Sequence, residues 1–269
     1  MTGRVVRIAI APVKALGLVH PESVELGRNG VAGDRRFWLV DAEGRLINGR
    51  RHGRLMQIRP TWDEATGRLR LDFPDGSVVE GRVELGGEVE VELHHDAHPS
   101  RSVVGPWQEA LSAYAGTPMR LLWSQTGAPD RTAHGGAVSL ISRGSLERLQ
   151  AELGTGEPID GRRFRMLFEI DGVPPHAEDG WIGGRIGVGT AAIEVGGDVG
   201  RCMITTLHPD RGTRDLDTLG ALARYRRDGR FEPLPIGVYG AVATPGTVRV
   251  GDPVVSLRTA DTRRPVSGR

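Results

Sequence analysis

Through the first hundred residues, apolar side chains alternate or run together in short stretches, at Val5–Ala11, Phe37–Val40, Leu69–Phe73 and Glu88–Leu93. Glycine, aspartate and proline fill the intervals, and this pattern predicts β-strands joined by turns. Residues 73–77 read Phe-Pro-Asp-Gly-Ser, a turn in which proline presets φ and the Asp-Gly pair accepts positive φ. A small barrel or sandwich is the economical arrangement for such a stretch.

A period of 3.6 appears in three places, Trp107–Tyr114, Ser142–Leu153 and Asp215–Arg227. In the second, Ser142 is an N-cap and Leu146, Leu149 and Leu153 share a face. In the third, Asp215 or Asp217 caps a face formed by Leu216, Leu219 and Ala223. Strands are expected again at Ile186–Val188, Ala191–Val195, Met203–Thr206, Tyr239–Ala243, Thr247–Val250 and Val254–Leu257. The fold class is therefore mostly β with α, an α+β chain with peripheral helices on sheet. A composition shift in residues 95–125 places a boundary at 118/119, giving units 1–118 and 119–257. Residues 258–269 carry no apolar period and read as a flexible tail.

Composition narrows the function classes. The 269 residues hold 35 basic and 34 acidic side chains, 38% hydrophobic residues and few aromatics. No basic stripe is present, which argues against a nucleic-acid binder. The N-terminus lacks a signal-type apolar core, and Pro12 and Lys14 interrupt the run Ile8–Val19. No membrane partner is expected, and a lone thiol suits the cytoplasm.

Two singular residues stand out. Lys14 is the only lysine, every other basic residue being arginine, so a compact ammonium has been kept at that position. Cys202 is the only cysteine, which excludes an intrachain disulfide and leaves a buried hydrophobe, a nucleophile, a redox thiol or a soft metal ligand. Arg201 beside it favours the thiolate, and Gly196, Gly197 and Gly200 permit close backbone approach. Lys14, Arg35, Arg36, Arg50, Arg163 and Arg165 form a second set, suited to an anionic group such as phosphate. His94, His95 and His98 with Asp96 lack the helical spacing of a zinc site. The glycine-rich run 183–189 lacks the strand-to-helix context of a phosphate loop and reads as a tight turn.

Several motifs together resemble a known family. They are Ala-Pro-Val-Lys (11–14), Gly-Asp-Arg-Arg-Phe-Trp-Leu-Val-Asp (33–41), Ser-Leu-Ile-Ser-Arg-Gly-Ser-Leu (139–146) and Arg-Phe-Arg (163–165). Arg-Cys-Met-Ile-Thr-Thr-Leu-His-Pro (201–209), Tyr239 and Pro-Gly-Thr-Val-Arg-Val-Gly-Asp (245–252) complete the set. In this order, from about residue 4 to about residue 257, they resemble a MOSC (molybdenum cofactor sulfurase C-terminal) protein preceded by the family's N-terminal β-barrel domain. The resemblance implies a β-barrel-like MOSC domain, a molybdopterin site between the two parts, and Cys202 as molybdenum ligand with Arg201 beside it. It further implies that Lys14, Arg35, Arg36, Arg50, Ser142, Arg165 and Arg201 hold the cofactor. The implied activity is reduction of N-hydroxylated or N-oxygenated small molecules, with electrons from a separate donor protein.

The chain departs from the family pattern at three places. Ala15 and Leu167 stand where relatives commonly have serine and asparagine, and His134-Gly-Gly-Ala replaces a polar approach to Ser139. Two further readings follow. One is a cofactor-free enzyme of specialised metabolism or sulfur transfer, with Cys202 as nucleophile assisted by Arg201 and His208. The other is a molybdopterin carrier without catalysis.

Overall fold

The computed structural model describes residues 2–93, 96–125 and 136–257. His94, His95, His134 and the expected tail 258–269 lie outside the described residues. The N-terminal part contributes β1 (Thr2–Ile8), β2 (Ser23–Gly27), β3 (Gly30–Val31), β4 (Phe37–Val40), β5 (Arg59–Asp63), β6 (Arg68–Asp72) and β7 (Val78–Arg82). It continues with β8 (Glu84–Leu93), β9 (Asp96–Val104), α1 (Trp107–Ala115) and β10 (Arg120–Ser124). The C-terminal part contributes β11 (Val138–Ser142), α2 (Arg143–Leu153), β12 (Phe168–Asp171), β13 (Arg185–Val188) and β14 (Ala191–Gly200). Then follow α3 (Thr218–Tyr225), β15 (Pro235–Thr244), β16 (Gly246–Arg249) and β17 (Pro253–Leu257).

Strand alternation decides which side chains point inward. In β2, Val24 and Leu26 are buried between exposed neighbours, and Leu69 and Leu71 of β6 behave alike. Leu69 and Leu71 join Phe37, Leu39, Trp107 and Leu111 in the N-terminal core. Each fully buried side chain of this kind stabilises the fold by about 1.5–3 kcal/mol. Two sheets, β4-β10-β9-β8 and β5-β6-β7, enclose this core, and the Trp107 indole N–H donates to the carbonyl of Leu69 at 3.2 Å. His98 is buried on β9, edge-on to Trp38 with ring centroids 5.6 Å apart.

The second core fills a closed seven-stranded barrel in the order β1-β12-β11-β15-β14-β13-β17. Within it β11 and β12 are parallel, so α2 is the crossover that parallel pairing requires. β1 pairs with β12 on one side and β17 on the other. β10 pairs instead with β4 and β9, so strand pairing crosses the 118/119 position in both directions. The expected strand at Met203–Thr206 is a short 3₁₀ turn. Its β-branched residues favour a strand locally, but their hydroxyls are engaged by the turn itself, as described below.

The helices follow their caps. The Ser142 hydroxyl accepts the Ser145 N–H and opens α2, and the Asp217 carboxylate accepts the Gly220 N–H and opens α3. Gly154 closes α2 at φ 67°, the left-handed end that glycine adopts without Cβ strain. Among the described residues no helix is long and apolar enough to cross a membrane.

Candidate functional site

The strap between β1 and β2 leaves the barrel and crosses to the N-terminal sheets. Its rungs are backbone hydrogen bonds: Ala9 N–H to Leu167 at 2.8 Å, Lys14 N–H to Phe37 at 2.8 Å and Gly17 N–H to Ile58 at 2.9 Å. Lys14 is thereby held at the junction, partly buried. Ala15 follows it at φ 76°, a conformation that costs an alanine roughly 1–2 kcal/mol.

Asp34 and Arg35 approach the strap from the β3–β4 connection. The buried Asp34 carboxylate accepts the Ala11 N–H at 2.7 Å and the Arg35 guanidinium at 2.5 Å. Arg35, at φ 48°, donates its N–H to the Ala11 carbonyl at 2.8 Å and its Nη2 to the Arg165 carbonyl at 3.2 Å. Arg165 ends the turn Gly161–Phe164 at φ 53° and donates to the Leu16 carbonyl at 2.8 Å. Arg35 and Arg165 are therefore laced through backbone carbonyls to each other and to the strap that carries Lys14.

Their charges act on one another. Burial, then Arg35 and Arg165, pushes the Lys14 ammonium down to about 7, against the opposing pull of Asp34 and Cys202. Burial and Arg35 push Arg165 down to about 10. Such shifts mark positive charge held in a poorly hydrated place, and an anion brought among these groups would relieve both effects.

Cys202 follows β14 by two residues, caps the 203–206 turn, lies in the same field and is exposed. Its carbonyl accepts the Thr205 N–H and the Thr205 hydroxyl, each at 3.1 Å, and the Thr206 hydroxyl donates to the Met203 carbonyl at 2.8 Å. Thr205 also bonds the Thr218 hydroxyl of α3 at 2.8 Å. These bonds explain why residues 203–206 coil instead of extending. Arg163 braces the far end of the turn, donating to the Leu207 carbonyl at 2.8 Å and to both carboxylate oxygens of Asp215 at 2.6 and 2.9 Å.

The other expected site residues divide. Arg50 is exposed on a turn whose Gly49 packs against Ile204, so it borders the Cys202 segment. Arg201 points inward: its guanidinium donates to the carbonyls of Ile236 and Phe164 and lies over the Phe164 ring at 5.2 Å. These contacts tie it to β15 and to the Gly161–Phe164 turn. Arg36 departs from expectation. It stacks on Trp123 at 4.9 Å and meets Glu64 at 3.4 Å, because the chain leaves the turn at Arg35, φ 48°, and enters β4.

Ser142 is likewise engaged elsewhere. It is fully buried, capping α2 and donating to Glu178 at 2.9 Å. His208 Nδ1 accepts the N–H groups of Asp210 and Arg211 at 3.1 and 3.3 Å, so its lone pair holds a loop. Leu167 lies in the barrel core, and its N–H donates to the Ser139 hydroxyl at 3.0 Å. Asp34, unremarked as a site residue in the sequence, proves to be the carboxylate that orients Arg35; its place between Gly33 and two arginines was the available signal.

Beside Arg165 a cleft is lined by Gly17, Leu18, Met56, Gln57, Arg162 and Asp210. The bidentate Arg162–Asp210 pair, at 2.8 and 2.7 Å, stiffens one wall. The backbones of Gly53 and Gly212 touch, leaving no room for a Cβ on either.

The chain matches two family descriptions, the MOSC N-terminal beta barrel domain over residues 2–114 and the MOSC domain over residues 129–255. Mitochondrial amidoxime-reducing component 1 of Mus musculus is 30% identical over 288 residues, covering 95% of this chain and 82% of that protein. The Homo sapiens protein of the same name is 25% identical over 287 residues, covering 95% and 83%. Among solved structures, the YUAD protein from Bacillus subtilis aligns over 96% of this chain and 98% of its own, at 14% identity and TM-score 0.46. A β-dominated chain with a closed barrel, these two consecutive domain matches and relatives matched over nearly its whole length belongs to the MOSC family, in the form that carries the MOSC N-terminal β-barrel domain.

Proposed function

We propose that this protein is a molybdenum-cofactor-dependent reductase of N-hydroxylated small molecules, with Cys202 as the metal ligand. The observation that carries the reading is the convergence of Lys14, Arg35 and Arg165 in one electrostatic field with an exposed thiol. A phosphorylated pterin with a thiophilic metal matches that donor set, phosphate to the cations and metal to the sulfur. Bound there, the group supplies a two-electron redox centre, by which a substrate N–O bond is exchanged for N–H and water.

The chain's own residues do the rest. Lys14 takes up a proton as an anion enters and presents a point charge, while Arg35 and Arg165 offer directed N–H donors. Arg163 and Thr205 fix the turn that presents Cys202, so the sulfur does not have to be ordered on binding. Electrons come from a separate donor protein. Mouse and human amidoxime-reducing components, by name, belong to this chemistry and support the substrate class.

A second reading, a cofactor-free enzyme using Cys202 as nucleophile, draws on Ala15 and Leu167. Neither side chain offers a polar contact, and Leu167 is committed to the barrel core. One experiment separates the readings: metal and pterin analysis of protein purified from a cofactor-producing host, followed by benzamidoxime reduction with reduced methyl viologen. The reductase reading expects stoichiometric molybdenum, its loss in Cys202→Ser, and amidoxime turnover. Soluble wild-type protein without metal or pterin overturns it in favour of the nucleophile; loaded but inert protein identifies a carrier.

A further inference from the structure

We propose that the exposed arginines bordering the Cys202 segment form the docking surface for an acidic electron-donor protein. The inference deepens the reductase reading above and rests on it. Reducing one N–O bond to N–H and water takes two electrons and two protons. Two one-electron carriers, each oxidised by one electron, supply the electrons, and solvent supplies the protons. Such a carrier has to approach the exposed thiol, and the charge around that place selects the surface it must carry.

Two segments meet there. Residues 48–59 and 203–217 hold six arginines and three aspartates, in a chain whose totals are 35 basic and 34 acidic residues. The segments are packed on one another. A Cβ on Gly49 would press on Ile204, two residues after Cys202, and one on Gly53 would strike the Gly212 carbonyl. The Gln57 amide donates to the Arg211 carbonyl at 2.7 Å. The N–H groups of Arg51 and His52 turn back to the Asn48 carbonyl, each at 3.3 Å, and the Arg54 guanidinium lies over the Tyr114 ring at 4.3 Å. Arg50, Arg51 and Arg54, all exposed, therefore project from a fixed backbone along the segment that carries the thiol.

Their charge is not cancelled. Asp210 gives both oxygens to Arg162, at 2.8 and 2.7 Å, and Asp215 gives both to Arg163, at 2.6 and 2.9 Å. Asp217 caps α3. No carboxylate among the described residues pairs with Arg50, Arg51 or Arg54. Exposed arginines elsewhere are paired, Arg45 with Asp41 and Glu43, and Arg68 and Arg70 with Glu80. Met203, next to the thiol and 40% exposed, adds an apolar contact, and Met and Arg are side chains that protein interfaces favour. Electron-transfer encounters bury little surface and owe their speed to charge. A small basic rim thus suits a donor that binds briefly and leaves.

The test sets reduced plant-type ferredoxin, a small acidic one-electron carrier, beside reduced methyl viologen, which needs no docking surface. Benzamidoxime reduction is followed with each donor for wild type, Arg51→Glu/Arg54→Glu and Arg51→Lys/Arg54→Lys. The glutamate pair is expected to raise the ferredoxin KM about tenfold or more at low salt and to leave the methyl viologen rate unchanged. In 1 M salt, where the Debye length is about 3 Å, wild type falls to the level of that variant. The lysine pair, which keeps the charge, behaves as wild type. Equal use of ferredoxin by wild type and the glutamate pair, or a wild-type KM indifferent to salt, overturns the surface. So does wild type that is active with methyl viologen and inert with ferredoxin. Tighter binding of duplex DNA than of ferredoxin at the same ionic strength also overturns it, in favour of a nucleic-acid face. Molybdenum-loaded wild type that turns over with neither donor overturns the reductase reading instead. Calorimetric titration of oxidised ferredoxin into the three proteins then decides the surface by itself, weaker binding to the glutamate pair alone supporting it and equal binding to all three overturning it.

Discussion

Lys14 differs from the arginines around it in one chemical respect: its proton can leave within the physiological range. A guanidinium holds its proton far more firmly than an ammonium, so the site's adjustable cation is the lysine. With its ammonium pushed down to about 7, half of the molecules carry it neutral near that pH. Lys14→Ala is expected to lower molybdenum and pterin per protein about tenfold or more, the loss of one charge-assisted contact. The thermal midpoint of the unloaded protein should not fall, because the substitution removes a partly buried cation repelled by Arg35 and Arg165. Metal analysis beside a thermal melt checks both halves, and a loaded Lys14→Ala protein would defeat the assignment. The lone lysine was legible in the sequence as an oddity. Its partners were not, since the strap, the β3–β4 connection and the Gly161–Phe164 turn meet only after folding. Arg35 and Arg36 show the same limit at closer range: adjacent and identical in type, they differ in direction alone.

Among the elements, those written locally in the sequence were readable. α2 and α3 announce themselves through a 3.6-residue period and through Ser142 and Asp217 as caps. The residues 203–206 were misread because Ile204, Thr205 and Thr206 favour strands by propensity, whereas Thr205 and Thr206 spend their hydroxyls on the turn that carries Cys202. The entry of α2 also holds a titrating group. Burial raises the Glu178 carboxyl above its usual range, although Ser142 and Ser145 donate to it. A carboxyl raised on folding favours the native state at pH below its unfolded value of about 4.3, and that contribution is lost as pH rises through the folded value. Stability should therefore decline from this source as pH climbs out of the carboxylate range toward neutrality. Glu178→Gln keeps an acceptor for Ser145 while removing the ionisation, so its denaturant midpoint should vary less over that window. An unchanged slope in the variant would show that Glu178 is not the source.

For the whole molecule, the lesson lies in where the barrel obtains its strands. The alternation in Val5–Ala11 predicts a strand but says nothing about its neighbours, and those neighbours, Phe168–Asp171 and Pro253–Leu257, lie far along the chain. A cut between 118 and 119 therefore leaves an open barrel lacking β1, and a second sheet lacking β10. Residues 119–257 produced alone are expected to show no cooperative melt, with exposed edges on β12 and β17 that favour aggregation. Fusing residues 2–8 after residue 257 through a flexible linker should restore the melt. A sharp transition in the bare fragment would refute this account of the barrel.

The same closure sets the order of events during biosynthesis. β1 leaves the ribosome early and waits unpaired until β12, and finally β17, have been made, a delay of many seconds at ordinary translation rates of about 5–20 residues/s. The N-terminal sheets can gather around Leu69, Leu71 and Trp107 in the meantime. Cys202 and Arg165 join Lys14 only when the barrel seals, so the anion clamp is a product of the finished polypeptide. On the proposed reading, ligand loading would follow translation, after β17 has emerged and closed the barrel.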